Sequence, residues 1–146
     1  GGWVFYDKGF YSNGWRYFEA APDNQGEAVW GCYGKAIQGT RNAAIGTGKY
    51  NTQAIIKECG EVEIAAKLAV SYRGGGKSDW FLPSRDELGL MLENLYGKGV
   101  VGIHESLWYW SSSEDYPDIA WCQRGLWGGQ YLPKNNRYIV RAVRAF

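Results

Sequence analysis

The sequence offers few side chains that could act together as a catalytic group. His104 is the single histidine in the 146 residues, so a Ser–His–Asp triad or a Cys–His pair would have to use it. It lies in a glycine-rich stretch without a G-x-S-x-G motif, which favours a surface histidine. We therefore expect no catalytic residues. The enzymatic alternative requires His104 or Cys122 in a concave site.

The three cysteines, Cys32, Cys59 and Cys122, contain no C-x-x-C pair. A structural zinc site takes about four nitrogen or sulfur ligands at characteristic spacing, so we expect no metal and no cofactor. At most one disulfide can form, and the sequence does not choose the pair. The simplest expectation is three buried or inert thiols.

Residues 115–139 differ from the rest of the chain in composition. Their aromatic residues alternate with basic ones and with turn-forming Gly and Pro: Tyr116, Trp121, Trp127, Tyr131 and Tyr138, with Arg124, Lys134 and Arg137. Such a mixture is typical of a binding surface. We assign Trp121 to the core. Trp127 and Tyr131 flank a predicted hairpin tip and are expected to anchor a ligand, with Arg124 and Asp118 setting the charge preference.

Charge excludes some partners and suggests another. The formal net charge is +1, which does not favour a nucleic-acid or membrane binder, and no stretch approaches the ~18 apolar residues of a membrane span. We expect a protein or carbohydrate ligand, no nucleic acid and no membrane insertion. Residues 116–146 carry five basic residues and one acidic residue. The alternative function is therefore an adhesin that binds anionic polysaccharide through a basic C-terminal surface. The competing explanation is that two of the arginines are structural and the other basic residues are scattered.

The elements that must position these residues run in the order strands, helices, strands. This order predicts an α+β class with an antiparallel sheet, in one domain covering residues 1–146. Strands are predicted at residues 3–6, 15–19, 28–30, 107–110, 119–123 and 138–146, and residues 31–48 are predicted to form a long structured loop.

Three helices are predicted in the middle of the chain. Asn51 or Thr52 is expected to begin the first, and Ala65 lies on the buried stripe of the second. Ser84 and Glu87 form a capping box at the start of the third. Its buried stripe is predicted to contain Leu88, Met91, Leu92 and Leu95.

Several segments resemble one family: residues 2–9 (GWVFYDKG), 14–17 (GWRY), 20–22 (AAP), 79–88 (DWFLPSRDEL), 109–114 (YWSSSE) and 140–146 (VRAVRAF). They are similar to the C-terminal domain of bacterial collagen-like adhesins. More narrowly, they are similar to the variable proteins of diversity-generating retroelements, which have a C-type lectin-like fold. The resemblance implies that fold, with two or three helices and long loops, and a cell-surface or extracellular location.

In such variable proteins a reverse transcriptase randomises adenine-containing codons near the 3′ end of the gene. The resemblance implies these constant positions: Ala120, Trp121, Gln123, Gly128, Gln130, Asn135 and Asn136. It implies these diversified, ligand-binding positions: Asp115, Tyr116, Asp118, Ile119, Cys122, Arg124, Leu126, Trp127, Gly129, Tyr131, Leu132, Arg137 and Ile139. The expected function is a non-catalytic receptor or adhesin domain with a diversified face on a rigid scaffold.

The sequence also departs from two relatives of this fold. Calcium-dependent sugar-binding lectins use Glu-Pro-Asn or Gln-Pro-Asp with Trp-Asn-Asp, and none of these occurs in the chain. The formylglycine-generating enzymes need a cysteine pair near the C-terminus, where this chain has Cys122 alone. Neither activity is expected, since fold does not by itself carry function.

Overall fold

The computed structural model describes residues 1–126 and 128–146. These form three helices, α1 (Gly48–Glu58), α2 (Ala65–Ser71) and α3 (Arg85–Leu95). They also form the strands β1 (Trp3–Ser12), β2 (Trp15–Ala20), β3 (Gly26–Val29), β4 (Trp108–Tyr116), β5 (Ile119–Arg124), β6 (Gly129–Pro133), β7 (Arg137–Val140) and β8 (Val143–Ala145). The predicted α+β class is confirmed. No helix within these residues is long and apolar enough to cross a membrane.

The strands form two sheets. β1, β2 and β8 make an antiparallel sheet, and the larger sheet has the order β3-β7-β4-β5-β6, with β4 and β7 parallel. The prediction of one closing strand over residues 138–146 is wrong, because β7 joins the large sheet and β8 the small one. Buried Arg141 separates them, and its guanidinium binds carbonyl groups outside both sheets. A charged residue turned inward explains why this segment alternates poorly in the sequence.

Helix α3 follows its sequence signals. Ser84 is the N-cap, and its hydroxyl accepts a hydrogen bond from the Glu87 backbone N–H at 3.4 Å. The predicted stripe of Leu88, Met91, Leu92 and Leu95 is buried. It packs against the small sheet, so the local pattern was sufficient to predict both the start and the buried face.

Helix α1 begins earlier than predicted, at Gly48 rather than at Asn51 or Thr52. The Glu87 carboxylate replaces the expected cap, because its Oε2 accepts the N–H of Gly48 at 2.8 Å and that of Gly46 at 3.1 Å. The Glu87 side chain therefore satisfies backbone N–H groups at the start of α1, and the Glu87 backbone N–H is itself bonded to Ser84 at the start of α3.

Glu87 predicts a pH dependence of stability. Burial raises the pKa of its carboxyl to about 7, whereas an unfolded Glu titrates near ~4.3. Between these values the folded chain holds a proton that the unfolded chain releases, so stability falls as pH rises. Relative to Glu87→Gln, we expect the wild-type free energy of unfolding to drop by roughly 3 kcal/mol from about pH 4.5 to pH 7. Urea denaturation across that range checks this, and parallel pH curves for the two proteins would contradict it.

Two cysteines correct the expectation of three inert thiols. Cys32 and Cys59 form a disulfide that links the long loop before α1 to the end of that helix. With a sequence separation of 27 residues, loop-closure entropy gives a stabilisation of about 3–4 kcal/mol. Cys122 is free and buried, and burial raises the pKa of its thiol to about 12, which keeps it unreactive.

Candidate ligand-binding surface

The predicted ligand-binding residues lie on both faces of the large sheet. Successive residues of β5 point to opposite sides. Trp121 is half-buried and packs against the hydrophobic cluster formed by α3 and the small sheet. Cys122 packs in a second cluster, which includes residues of α1 and α2, next to Trp110. Cys122 is fully buried, so its assignment to an exposed binding face is wrong. Its thiol fills core space.

The remaining predicted residues divide by position along the strands. At the β4–β5 turn, Tyr116 and Asp118 are exposed, and Asp115 and Ile119 are half-buried. The others lie at the β5–β6 turn, on β6 or on β7: Arg124, Leu126 and Arg137 are exposed, and Gly129, Tyr131, Leu132 and Ile139 are half-buried. Trp127 lies outside the described residues. Ligand binding by these positions stays a prediction.

Tyr131 belongs to a stack at the start of α3. The Arg85 guanidinium lies 3.8 Å from the Trp121 ring centroid and donates to the Tyr131 hydroxyl at 3.3 Å. The Trp121 and Tyr131 rings meet edge to face at 5.1 Å. Trp121 thus packs inward as expected, and the predicted anchor Tyr131 has part of its ring held by neighbours within the chain.

Gly129 is sterically restricted, although the resemblance makes it a diversified position. A Cβ there would lie 2.2 Å from Cζ2 of Trp121 and 2.6 Å from the carbonyl oxygen of Cys122. We expect Gly129→Ala to lower the free energy of unfolding by about 1–3 kcal/mol through overpacking. Gly60→Ala is the matched control, because nothing lies within 4 Å of a Cβ at that position. Equal stability of the two variants in urea would contradict the prediction.

The basic C-terminal surface of the alternative function does not form. Lys134 pairs with Glu114 in the interior, Arg141 is buried, and Arg144 binds Asp79 and Glu19. This leaves the side chains of Arg124 and Arg137 exposed among the five basic residues of that segment. The sequence composition overstated the surface charge, because three of these residues serve structural contacts.

An open groove adjoins the β4–β5 turn. Its volume is about 610 Å³, and Ile37, Gln38, Arg41, Asn42 and Glu114 are among the residues that line it. Tyr116 is 59 % exposed, and the Arg41 guanidinium lies 5.8 Å from the centroid of its ring. We call Gln38, Arg41, Asn42, Tyr116 and Asp118 the Tyr116 surface. It combines an aromatic ring, an arginine, two amides and a carboxylate, as binding loops commonly do.

A buried ion pair fixes this surface to the sheet. Glu114 Oε2 accepts the Lys134 ammonium at 2.5 Å, and Oε1 accepts the Ile37 N–H at 2.9 Å. The Lys134 ammonium also donates to the Lys35 carbonyl at 3.0 Å, and the Glu114 N–H donates to the Thr40 carbonyl at 2.9 Å. The long loop is thereby held to β4 and to the turn after β6. Sequence reasoning missed this pair, because its partners are 20 residues apart and neither stands out locally.

The titratable groups considered for chemistry lie elsewhere. His104 is exposed, as predicted, and its Nδ1 lies 2.8 Å from the Ser106 hydroxyl. Within the described ranges, one acid-and-thiol cluster has the spacing of a metal site, Cys32, Cys59 and Glu61. Its two thiols are joined in the disulfide, and the Glu61 carboxylate accepts the Cys32 N–H at 2.9 Å. That cluster therefore acts as a structural link.

Comparison with known proteins finds a solved structure with a similar fold. No protein-family model and no curated protein matches the chain. Among solved structures, a fimbrial protein from Bacteroides ovatus ATCC 8483 superposes with a TM-score of 0.63 at 14% sequence identity. The match covers 90% of this chain and 36% of that one, so this chain spans about a third of the fimbrial protein. At this identity the likeness shows a shared fold.

Proposed function

We propose that this chain is a non-catalytic, adhesin-type binding domain displayed on a bacterial cell, and that it engages a protein or carbohydrate through the Tyr116 surface. The observation that carries the proposal is the exposed Tyr116 ring facing Arg41 on loops held by the buried Glu114–Lys134 pair. Loops that are already held in place lose little conformational entropy on binding. The fold shared with a fimbrial protein supports a surface role.

The finer proposal concerns the origin of this surface. The family resemblance suggests a C-type lectin-like scaffold whose exposed positions vary through a diversity-generating retroelement. Tyr116, Asp118, Arg124 and Leu126 are solvent-facing, so side-chain changes there cost little stability. The test is the flanking DNA. A nearby reverse transcriptase gene and a near-copy of the codons for residues 115–139, differing mainly at adenines, are expected, and their absence would overturn this finer proposal.

Binding is tested with the domain immobilised on beads. We expect the beads to adhere to a mucin-coated surface or to members of an array of defined oligosaccharides and extracellular-matrix proteins. The double variant Tyr116→Ala/Arg41→Ala is expected to weaken binding about tenfold or more, since hot-spot aromatic and arginine side chains each contribute about 2 kcal/mol or more.

The matched control is Lys98→Ala/Val101→Ala, which removes one basic and one apolar side chain, both exposed, from a different part of the chain. It should bind like the wild type. Equal binding by the Tyr116→Ala/Arg41→Ala variant, with its melting temperature unchanged, would show that the Tyr116 surface is not the binding site.

A further inference from the structure

A second groove lies between the tip of the β1–β2 hairpin and the start of α1, apart from the Tyr116 surface. Its volume is about 670 Å³. We call it the hairpin groove, and its side walls include Lys8, Asn13, Trp15, Lys49, Tyr50 and Asp79. Concave sites that mix aromatic walls with a few polar groups are the usual form of small-ligand sites.

Two aromatic residues with different exposure, Trp15 and Tyr50, line the hairpin groove. Tyr50 is 64% exposed on the first turn of α1. Trp15 is half-buried, and the Phe18 ring packs against it at a centroid distance of 4.5 Å. Exposed rings of this size offer flat apolar area, and the C–H groups along one face of a sugar ring can pack on such a surface.

The charges left unpaired in the hairpin groove are positive. The Lys8 ammonium donates to the Ser12 carbonyl at 2.7 Å and lies 3.8 Å from the Trp15 ring centroid. Within the described part of the chain, neither Lys8 nor Lys49 has a carboxylate within salt-bridge distance. The Asp79 carboxylate, in contrast, is bonded to Arg144 at 2.5 Å. The groove therefore complements a ligand with a negative group.

The groove also offers backbone hydrogen-bonding groups. Tyr17 and Phe146 exchange backbone hydrogen bonds at 2.8 and 2.9 Å. Because bonded pairs alternate along antiparallel strands, the N–H and C=O of Ala145, which lines the groove, point away from β2. One residue of strand edge is too short to pair with an extended peptide, but it can accept and donate hydrogen bonds to sugar hydroxyls.

We propose that the hairpin groove binds an acidic saccharide, with a carboxylate held by Lys8 and Lys49 and a sugar ring packed on Tyr50. This site is independent of the Tyr116 surface and of the C-terminal basic residues.

The test measures binding of tetragalacturonate and sialyllactose by calorimetry, with neutral maltotetraose for comparison. We expect the acidic sugars to bind and Lys49→Gln and Tyr50→Ala each to weaken that binding about tenfold. Lys57→Gln and Tyr33→Ala are matched controls, because both residues are exposed and lie outside the groove lining. Absence of binding at millimolar sugar, or equal binding by Lys49→Gln, would overturn the proposal.

Two further measurements separate this site from its alternatives. Oligoglutamate of equal charge should bind more weakly than tetragalacturonate. Equal affinity would show that the groove attracts negative charge in general and does not recognise a saccharide. The Tyr116→Ala/Arg41→Ala variant should keep its affinity for the acidic sugars. Loss of that affinity would show that the sugar binds the Tyr116 surface and would overturn the proposed hairpin-groove site. Unchanged affinity would support the hairpin-groove site, and the Tyr116 surface would then be tested separately by the bead assay.

Discussion

Replacement of Glu114 by Gln is expected to lower the free energy of unfolding by about 3–5 kcal/mol, which is the usual cost of removing one partner of a buried ion pair. Both side chains of the Glu114–Lys134 pair are at most 1% exposed. The substitution leaves the Lys134 ammonium without a counter-charge in a site where burial already lowers its pKa. Urea denaturation at neutral pH gives the value.

A double-mutant cycle provides the control for this prediction. In Glu114→Gln/Lys134→Met this site holds no charge, so the loss is expected to be smaller than the sum of the two single losses. Additive losses would contradict a coupled pair. Because the Glu114 carboxylate also accepts the Ile37 N–H, Glu114→Gln should increase amide exchange in the long loop before α1. Glu114→Gln should also lower the affinity of the Tyr116 surface for its ligand.

Replacement of Arg141 by Met is expected to cost a similar amount, about 3–5 kcal/mol. Arg141 is 1% exposed, and its guanidinium donates to the carbonyls of Ala21, Pro22 and Val101 and to the Asn24 side chain, at 2.7–2.9 Å. Met has a similar volume but leaves one buried and three part-buried acceptors without this donor. A fully buried unsatisfied acceptor costs about 1–3 kcal/mol, and a part-buried one costs less because water can reach it.

Two controls test this interpretation. Arg137→Met changes an exposed arginine and should shift stability by less than about 0.5 kcal/mol. Arg141→Lys retains the charge, but its three N–H donors sit on one nitrogen and cannot reach the acceptors that the planar fork spans, so it should recover little of the loss. Full recovery by lysine would show that the fold does not require the geometry of the guanidinium fork at this position.

Local sequence signals predicted the parts of the fold that depend on neighbouring residues. The N-cap Ser84 and the buried stripe of α3 act within one helix, and both were confirmed. The other half of the predicted capping box did not form as expected, because the Glu87 carboxylate accepts the N–H groups of Gly46 and Gly48. The start of α1 was missed, because its cap is a carboxylate 39 residues away. The disulfide and the Glu114–Lys134 pair were missed for the same reason, since each depends on a contact made only by the folded chain.

The candidate site was predicted in part. Composition directed attention to residues 115–139, which include the exposed Tyr116 and Asp118, but it gave no strand register. Without register, the inward direction of Cys122 and the contact between Gly129 and the Trp121 ring could not be inferred. Arg41 and Gln38 were missed, because they lie in a glycine-rich loop with no periodicity.

The bond between Cys32 and Cys59 has a practical consequence for how the protein is prepared. It closes the base of the loop that carries Gln38, Arg41 and Asn42. Glutathione keeps thiols reduced in most cytosols, whereas secretory routes oxidise them. In protein produced without that oxidation, the loop that carries these three side chains would be more flexible. Its measured affinities would therefore be lower than those of the oxidised protein.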